Sequence, residues 1–215
     1  MSTGERLAVL GANGKMGRAV IRLAHGMGMQ LVAAIGAGDD VGKDAGDLAG
    51  VGSLGVKVSS DLASLKASGA QVLVDFSTPA VVTSAIEVCA SAGIAIASGT
   101  TGLGEAENKA LDAAAAKVAV LWEPNMSVGV YVLSQLIAQA VKALPDFDIE
   151  IVEAHHRLKV DAPSGTALRL AEVAKKARDA SSTFVTGRDG KPGARKREEI
   201  GVLAMRGGDV IGDHL

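Results

Sequence analysis

Leu7-Ala8-Val9-Leu10-Gly11-Ala12-Asn13-Gly14-Lys15-Met16-Gly17 is the stretch that decides the fold of the first half of this chain. Residues 7–10 form a short apolar run that reads as a strand. Residues 15–25 read as a helix with Met16, Ala19, Val20 and Leu23 on one face. Between them the glycines recur as G-x-x-G-x-x-G, a variant of the dinucleotide fingerprint. The early glycines let the backbone turn tightly and approach a pyrophosphate, and Gly17 lets the helix pack close to the sheet. The helix start adds free N–H groups and the positive end of a dipole. The competing reading is a plain tight turn between strand and helix.

Working outward, strand-like and helical runs alternate. Residues 31–35 read as a second strand and 36–55 as a loop with a short helix. A weak strand at 56–59 and a short helix at 60–68 follow. Residues 72–76 form a strong buried strand. Thr78 offers an N-cap, Pro79 sits at the first helical position and Gly93 supplies a stop. Strands at 94–98 and 118–122 flank an alanine-rich helix at 105–116. Such alternation, with strands apolar throughout, predicts a doubly wound parallel sheet covered on both faces.

The pattern changes near Asn125. Ser127 can cap a long helix to about residue 143. Residues 147–153 alternate apolar and polar, as a strand with one covered face does. A histidine-rich turn, a helix at 164–180, a basic loop at 187–197 and two late strands at 200–205 and 209–214 complete the chain. These readings divide it into a dinucleotide-binding domain, residues 1–126, and a second domain, residues 127–215.

Composition narrows the function. The 215 residues are 48% hydrophobic and 21% charged, which predicts a folded globule. Aromatics make up 2% and the net charge is -2, so neither stacking platforms nor a global field favours nucleic acid or anionic lipid. The apolar run at 7–10 is too short for a signal core or a membrane span. The lone Cys89 has no internal disulfide partner and suits a reducing, cytoplasmic setting.

The more specific segment runs Glu153-Ala154-His155-His156-Arg157-Leu158-Lys159-Val160-Asp161-Ala162-Pro163-Ser164-Gly165-Thr166-Ala167. Histidine exchanges a proton near neutral pH, and lysine can donate one when its surroundings lower its pKa. Ser164, Gly165 and Thr166 form a capped helix start that suits a carboxylate. Together these groups fit a small acidic substrate that needs a proton as well as a hydride. Adjacent histidines on an extended chain point to opposite sides, and no Cys or third His lies near in sequence, so no metal is expected.

With these residues in view, the chain resembles the 4-hydroxy-tetrahydrodipicolinate (dihydrodipicolinate) reductases of lysine and diaminopimelate biosynthesis. The likeness is carried by residues 11–17, 44–50, 74–77, 99–102, 125–130 and 153–167, in order along the chain. It implies a Rossmann-like sheet followed by an α+β domain that binds substrate and builds a homotetramer. It also implies an oxidoreductase using NADH or NADPH on a small cyclic dicarboxylate, with neither nucleic acid nor membrane as partner. By position, Gly11, Ala12, Asn13, Gly14, Lys15 and Met16 would cradle the pyrophosphate. Gly99, Thr100 and Thr101, with Glu123, Pro124, Asn125 and Met126, would border the nicotinamide. His155 would be the catalytic histidine and Lys159 the proton donor. His156, Gly165 and Thr166 would hold the substrate carboxylates.

Two departures from that pattern set further expectations. Gly36 and Ala37 stand where the family has an acidic residue often followed by Arg, so NADH and NADPH are expected to be used with modest discrimination. Family chains continue past the point matched by Leu215, so the second domain is expected to be C-terminally truncated. The alternatives are a truncated nucleotide-binding relative without activity, and another Rossmann dehydrogenase of amino-acid metabolism.

Overall fold

The computed structural model describes residues 4–215. They form two compact units, one ending at Pro124 and the other beginning at Asn125.

The first unit runs β1 (Arg6–Leu10), α1 (Lys15–Gly26), β2 (Gln30–Ile35), α2 (Ala45–Ala49), β3 (Val58–Ser59), β4 (Val72–Asp75), α3 (Pro79–Ala92), β5 (Ala95–Ser98), α4 (Glu105–Ala115) and β6 (Val120–Trp122). The six strands are all parallel, in the order β3-β2-β1-β4-β5-β6. This is the doubly wound sheet expected from the alternation, with the order reversing at β1/β4. Strand periodicity places Leu7 and Val9 on one face and Ala8 and Leu10 on the other. Leu7 and Val9 pack with Ile21 and Ala24 of α1 and Ala45 and Ala49 of α2. Ala8 and Leu10 pack with Val82, Ile86 and Cys89 of α3 and Leu111 of α4.

Helix α1 turns a different side to the sheet from the one expected. Gly17, Ile21 and Ala24 are buried, whereas Met16 and Leu23 are 49% and 68% exposed. The helical frame slides by one residue because Gly17 must lie against the turn. A Cβ there would stand 2.1 Å from the Gly11 carbonyl oxygen. Thr78 also departs from expectation: it holds the N-cap backbone position of α3 but makes no side-chain cap bond. Gly93 ends that helix in the left-handed region, at φ +71°.

The second unit runs α5 (Val128–Ala143), β7 (Ile149–His155), α6 (Gly165–Arg178), β8 (Thr183–Val185), β9 (Glu199–Arg206) and β10 (Asp213–His214). Its sheet is mixed, in the order β10-β7-β9-β8. β7 and β8 run parallel to β9, and β10 runs antiparallel to β7. One face is covered: Ile151, Ile200 and Val202 pack under Val141 of α5 and Leu170, Ala171 and Ala174 of α6. Strand β8 was absent from the sequence reading, and the strand read at 209–214 shrinks to two residues.

The basic loop at 187–197 is tied down by its arginines. Arg195 donates to the carbonyls of Ile149 (3.0 Å) and Glu199 (2.7 Å) and to the Asp148 carboxylate. Arg188 pairs with Glu150 and Glu199, and its bond to Glu150 holds that carboxyl below its usual range. Among the described residues, no helix is long and apolar enough to cross a membrane.

Candidate active site

The glycine turn builds one wall of a cleft of about 340 Å³ at the carboxyl ends of β1, β2 and β4. Gly11, Asn13 and Gly14 line it with Gly36, Ala37, Phe76 and Ser77. Gly11 adopts φ +76°, and a Cβ there would lie 2.4 Å from the Phe76 carbonyl oxygen, so only glycine fits. Ala12 is buried and donates its N–H to the Ile35 carbonyl. Lys15 and Met16 are exposed on the first turn of α1, where no side chain caps the N–H groups. An open helix start above a narrow glycine turn fits a pyrophosphate.

At the ribose end of the cleft, Gly36 and Ala37 rather than an acid follow β2. A Cβ on Gly36 would meet Asn13 Oδ1 at 2.4 Å and Val58 Cγ1 at 2.9 Å. Asn13 Nδ2 donates to the Ala37 carbonyl at 2.7 Å, which locks the amide over that position. The nearby Asp40 already accepts from Arg18 at 2.9 Å and Lys43 at 2.8 Å. Lys43 holds its carboxyl below the usual range, with Arg18 contributing.

A second set of groups gathers around Asp75, which is 1% exposed. Its carboxylate accepts from the Ser77 hydroxyl and backbone N–H, the Ser98 hydroxyl and the Thr100 hydroxyl. The Thr100 carbonyl accepts from Trp122 Nε1. The Thr100 side chain therefore turns inward and organises the turn. The Gly99 N–H donates to the Asp75 carbonyl and the Thr100 N–H to Ser98 Oγ, which leaves the exposed Thr101 as the part of the turn open to a ligand. A Cβ on Gly99 would strike the Phe76 ring at 2.3 Å. Glu123 and Pro124 follow β6 at the end of the first unit, and the Glu123 N–H donates to the Ser98 carbonyl.

In the second unit the histidine segment has a defined geometry. Residues 151, 153 and 155 share one face of β7, so Glu153 and His155 lie on the buried side. Glu153 is 0% exposed and accepts four bonds. They come from Arg206 Nη1 and Nη2, both at 2.8 Å, from His155 Nδ1 at 2.6 Å and from the Ser164 N–H at 2.9 Å. Burial opposes its ionisation, but Arg206, His155 and Ser164 overcome that and hold the carboxyl at about 2. The His155 and His214 rings meet edge to face at 5.4 Å, and Ser164 Oγ lies 2.9 Å from His214 Nε2. Burial, with help from His155, pushes the His214 pKa down.

His156 follows the end of β7, and its Nδ1 is closed off from solvent without a hydrogen-bond partner. The Lys159 N–H closes a turn onto the His156 carbonyl at 3.1 Å. Lys159 Nζ makes two bonds to the Asp161 carboxylate, at 2.7 and 2.9 Å. Ser164 caps α6 by accepting from the Ala167 N–H. Gly165 is exposed at the helix start, and Thr166 Oγ1 accepts from Asn125 Nδ2 at 2.9 Å. Met126 is exposed just ahead of α5.

Sequence reasoning missed Arg206 and His214, which reach Glu153 only through strand pairing: Arg206 sits opposite His155 and His214 opposite Glu153. It also gave Glu153 no role, although an acid in phase with Ile151 on the covered face was a readable signal. An apolar cleft of about 360 Å³ between α5 and β7, lined by Leu133, Ile137, Phe147 and Ile149, offers mainly hydrocarbon walls. The donor-rich histidine turn is therefore the better candidate for an acidic ligand.

Known proteins share these features. A family model described as "Dihydrodipicolinate reductase, N-terminus" matches residues 5–126, and one described as "Dihydrodipicolinate reductase, C-terminus" matches residues 129–215. A 4-hydroxy-tetrahydrodipicolinate reductase of Acinetobacter baumannii is 44% identical over 219 residues, covering 100% of this chain and 80% of the relative. One from Alkalilimnicola ehrlichii is 46% identical, covering 97% of this chain and 80% of the relative. The solved structure of a dipicolinate-bound dihydrodipicolinate reductase from Paenisporosarcina sp. TG-14 superposes with a TM-score of 0.74 at 26% identity, over 99% of this chain and 82% of that one. The glycine turn, the histidine segment and these likenesses along the whole sequence agree, and the chain belongs to the dihydrodipicolinate reductase family.

Proposed function

We propose that this chain is a nicotinamide-dependent oxidoreductase that reduces 4-hydroxy-tetrahydrodipicolinate to tetrahydrodipicolinate in lysine and diaminopimelate biosynthesis. The observation that carries the reading is the segment from Glu153 to Thr166. It sets a carboxylate-held histidine, a lysine and a serine-capped helix start in one small region of the second unit. That is the equipment for binding a dicarboxylate and delivering a proton.

In this reading the residues divide the work. Gly11, Ala12, Asn13, Gly14, Lys15 and Met16 hold the pyrophosphate of NADH or NADPH, and the bound cofactor supplies the hydride. The Gly99–Thr101 turn and residues 123–126 border the nicotinamide. His155 is the catalytic histidine beside the reacting ring. Lys159, released from Asp161, gives the proton. His156, Gly165 and Thr166 take the carboxylates; the unpartnered His156 Nδ1 supports a role for that side chain in meeting an acceptor. The expected tetramer draws support from exposed Tyr131, Val132 and Leu136 on α5, and sedimentation velocity tests it.

Oxidation of NADH or NADPH, followed with freshly prepared substrate, is the direct test. Turnover that depends on the dicarboxylate and falls at least about a hundredfold in Lys159→Ala is the expected result. A folded protein with no turnover, or Lys159→Ala with full turnover, counts against the proposal.

A further inference from the structure

A buried ion pair made only for stability needs two partners. The Glu153–Arg206 pair has more. Both Glu153 oxygens are saturated, and one of the four donors is His155 Nδ1 at 2.6 Å. Arg206 Nη2 also donates to the Asp161 carbonyl at 2.6 Å. The Asp161 carboxylate in turn holds Lys159 Nζ. A continuous chain of bonds thus runs from His155 through Glu153, Arg206 and Asp161 to Lys159.

We propose that Glu153 and Arg206 are positioning residues that set His155 and the Lys159 turn as one unit, with His155 held as the Nδ1–H tautomer and its Nε2 left bare. A carboxylate can only accept, so the proton of a neutral His155 ring must sit on Nδ1. The low pKa of Glu153, about 2, keeps it a pure acceptor at neutral pH. Gly212 leaves room at His155 Nε2, because a Cβ there would stand 2.7 Å from it. Glu153 and His214 meet the His155 ring directly, and Arg206 on β9 meets Glu153 beside it; His155, Glu153, Asp213 and Lys159 all act on the neighbouring His214. Arg206 is the only one of these that touches both arms.

The inference rests on the reductase reading for its kinetic arm alone. The first measurement is ¹⁵N-histidine NMR of the unaltered chain at about pH 8, with His155 assigned from the spectrum of His155→Asn. A pyrrole-type Nδ1 and a pyridine-type Nε2 are expected; the opposite tautomer overturns the proposal. In Glu153→Gln, a mixture of tautomers is expected, with kcat lowered at least about tenfold and substrate KM changed less than about threefold. Arg206→Lys keeps a positive charge by Glu153 but cannot also span to the Asp161 carbonyl, so kcat should fall while the tautomer stays. Unchanged kcat in both variants, or a rise in KM alone, contradicts positioning. If Glu153→Gln does not fold, the native tautomer and Arg206→Lys decide the question. An inactive protein with the Nδ1–H tautomer overturns the reductase reading and upholds the pair.

Discussion

At the scale of single residues, glycine identity is set by what a Cβ would touch. At Gly17 it would meet the Gly11 carbonyl oxygen at 2.1 Å, a backbone atom that cannot swing away. Gly17→Ala is expected to cost at least about 1–3 kcal/mol, read by urea denaturation, and to weaken NADH binding in fluorescence titration. A variant with native stability and affinity would show that the turn is not packed as described. Gly36 poses a subtler case. The sequence shows only that an acid is missing; the structure adds that Asn13 and Val58 fill its space and that Asp40 is already bound by two cations. Neither an acid nor a cation stands at Gly36 or Ala37 directly after β2, so that position favours neither the ribose hydroxyls nor a 2′-phosphate. NADH and NADPH should therefore bind with affinities within roughly a hundredfold of each other, about 2.7 kcal/mol. Calorimetry with each cofactor checks this, and a larger ratio means that another side chain reads the ribose.

At the scale of elements, the parallel sheet was legible because most of its strands are local apolar runs separated by helices, whereas the order β3-β2-β1-β4-β5-β6 is set by pairing between distant segments. The buried face of α1 was not legible. Met16 and Leu23 carry the larger hydrophobic side chains, but the backbone contact at Gly17 decides which face turns inward. The core of the active site was half legible for the same kind of reason. Lys159, His155 and His156 sit in one local segment, whereas Arg206 and His214 arrive by pairing across β9 and β10. Helix caps were read correctly where a serine precedes the helix, and they differ in a testable way. Ser127 caps α5 from an exposed position through a 3.4 Å bond. Ser164 caps α6 while 2% exposed, and its hydroxyl also meets His214. Ser127→Ala should cost about 0.5–1 kcal/mol, and Ser164→Ala about 1–3 kcal/mol. Chemical denaturation of the two variants side by side gives the comparison; equal losses would deny Ser164 its second role.

For the whole molecule, the charges make acid the condition to which this fold is most sensitive. Asp40, Asp44, Glu150, Glu153, Asp161 and Asp179 all have pKa values lowered by hydrogen bonds or cations in the folded state. For Asp44 the cause is chiefly the Leu54 N–H, which with other donors takes the carboxyl from 3.8 to about 2. For Glu153 the value falls from 4.5 to about 2 against the pull of burial. A group with a depressed folded pKa stabilises fully above its unfolded value and loses that contribution as pH drops toward the folded one. The carboxylate contribution is therefore intact above about 4.5 and lost between there and about 2. His214 follows the same sign for the opposite chemistry. Its folded pKa lies below 6.5 because burial disfavours the imidazolium, so its contribution is present above 6.5 and erodes as pH falls beneath it. Urea midpoints measured from about pH 8 down to about pH 3 should thus decline in two stages, gently below 6.5 and steeply below about 4.5. His214→Asn should remove the gentle stage and Asp44→Asn should flatten the steep one. A midpoint that holds constant down to about pH 3 would mean that these carboxylates are no better solvated by the fold than by water, which the four filled acceptor positions on Glu153 argue against.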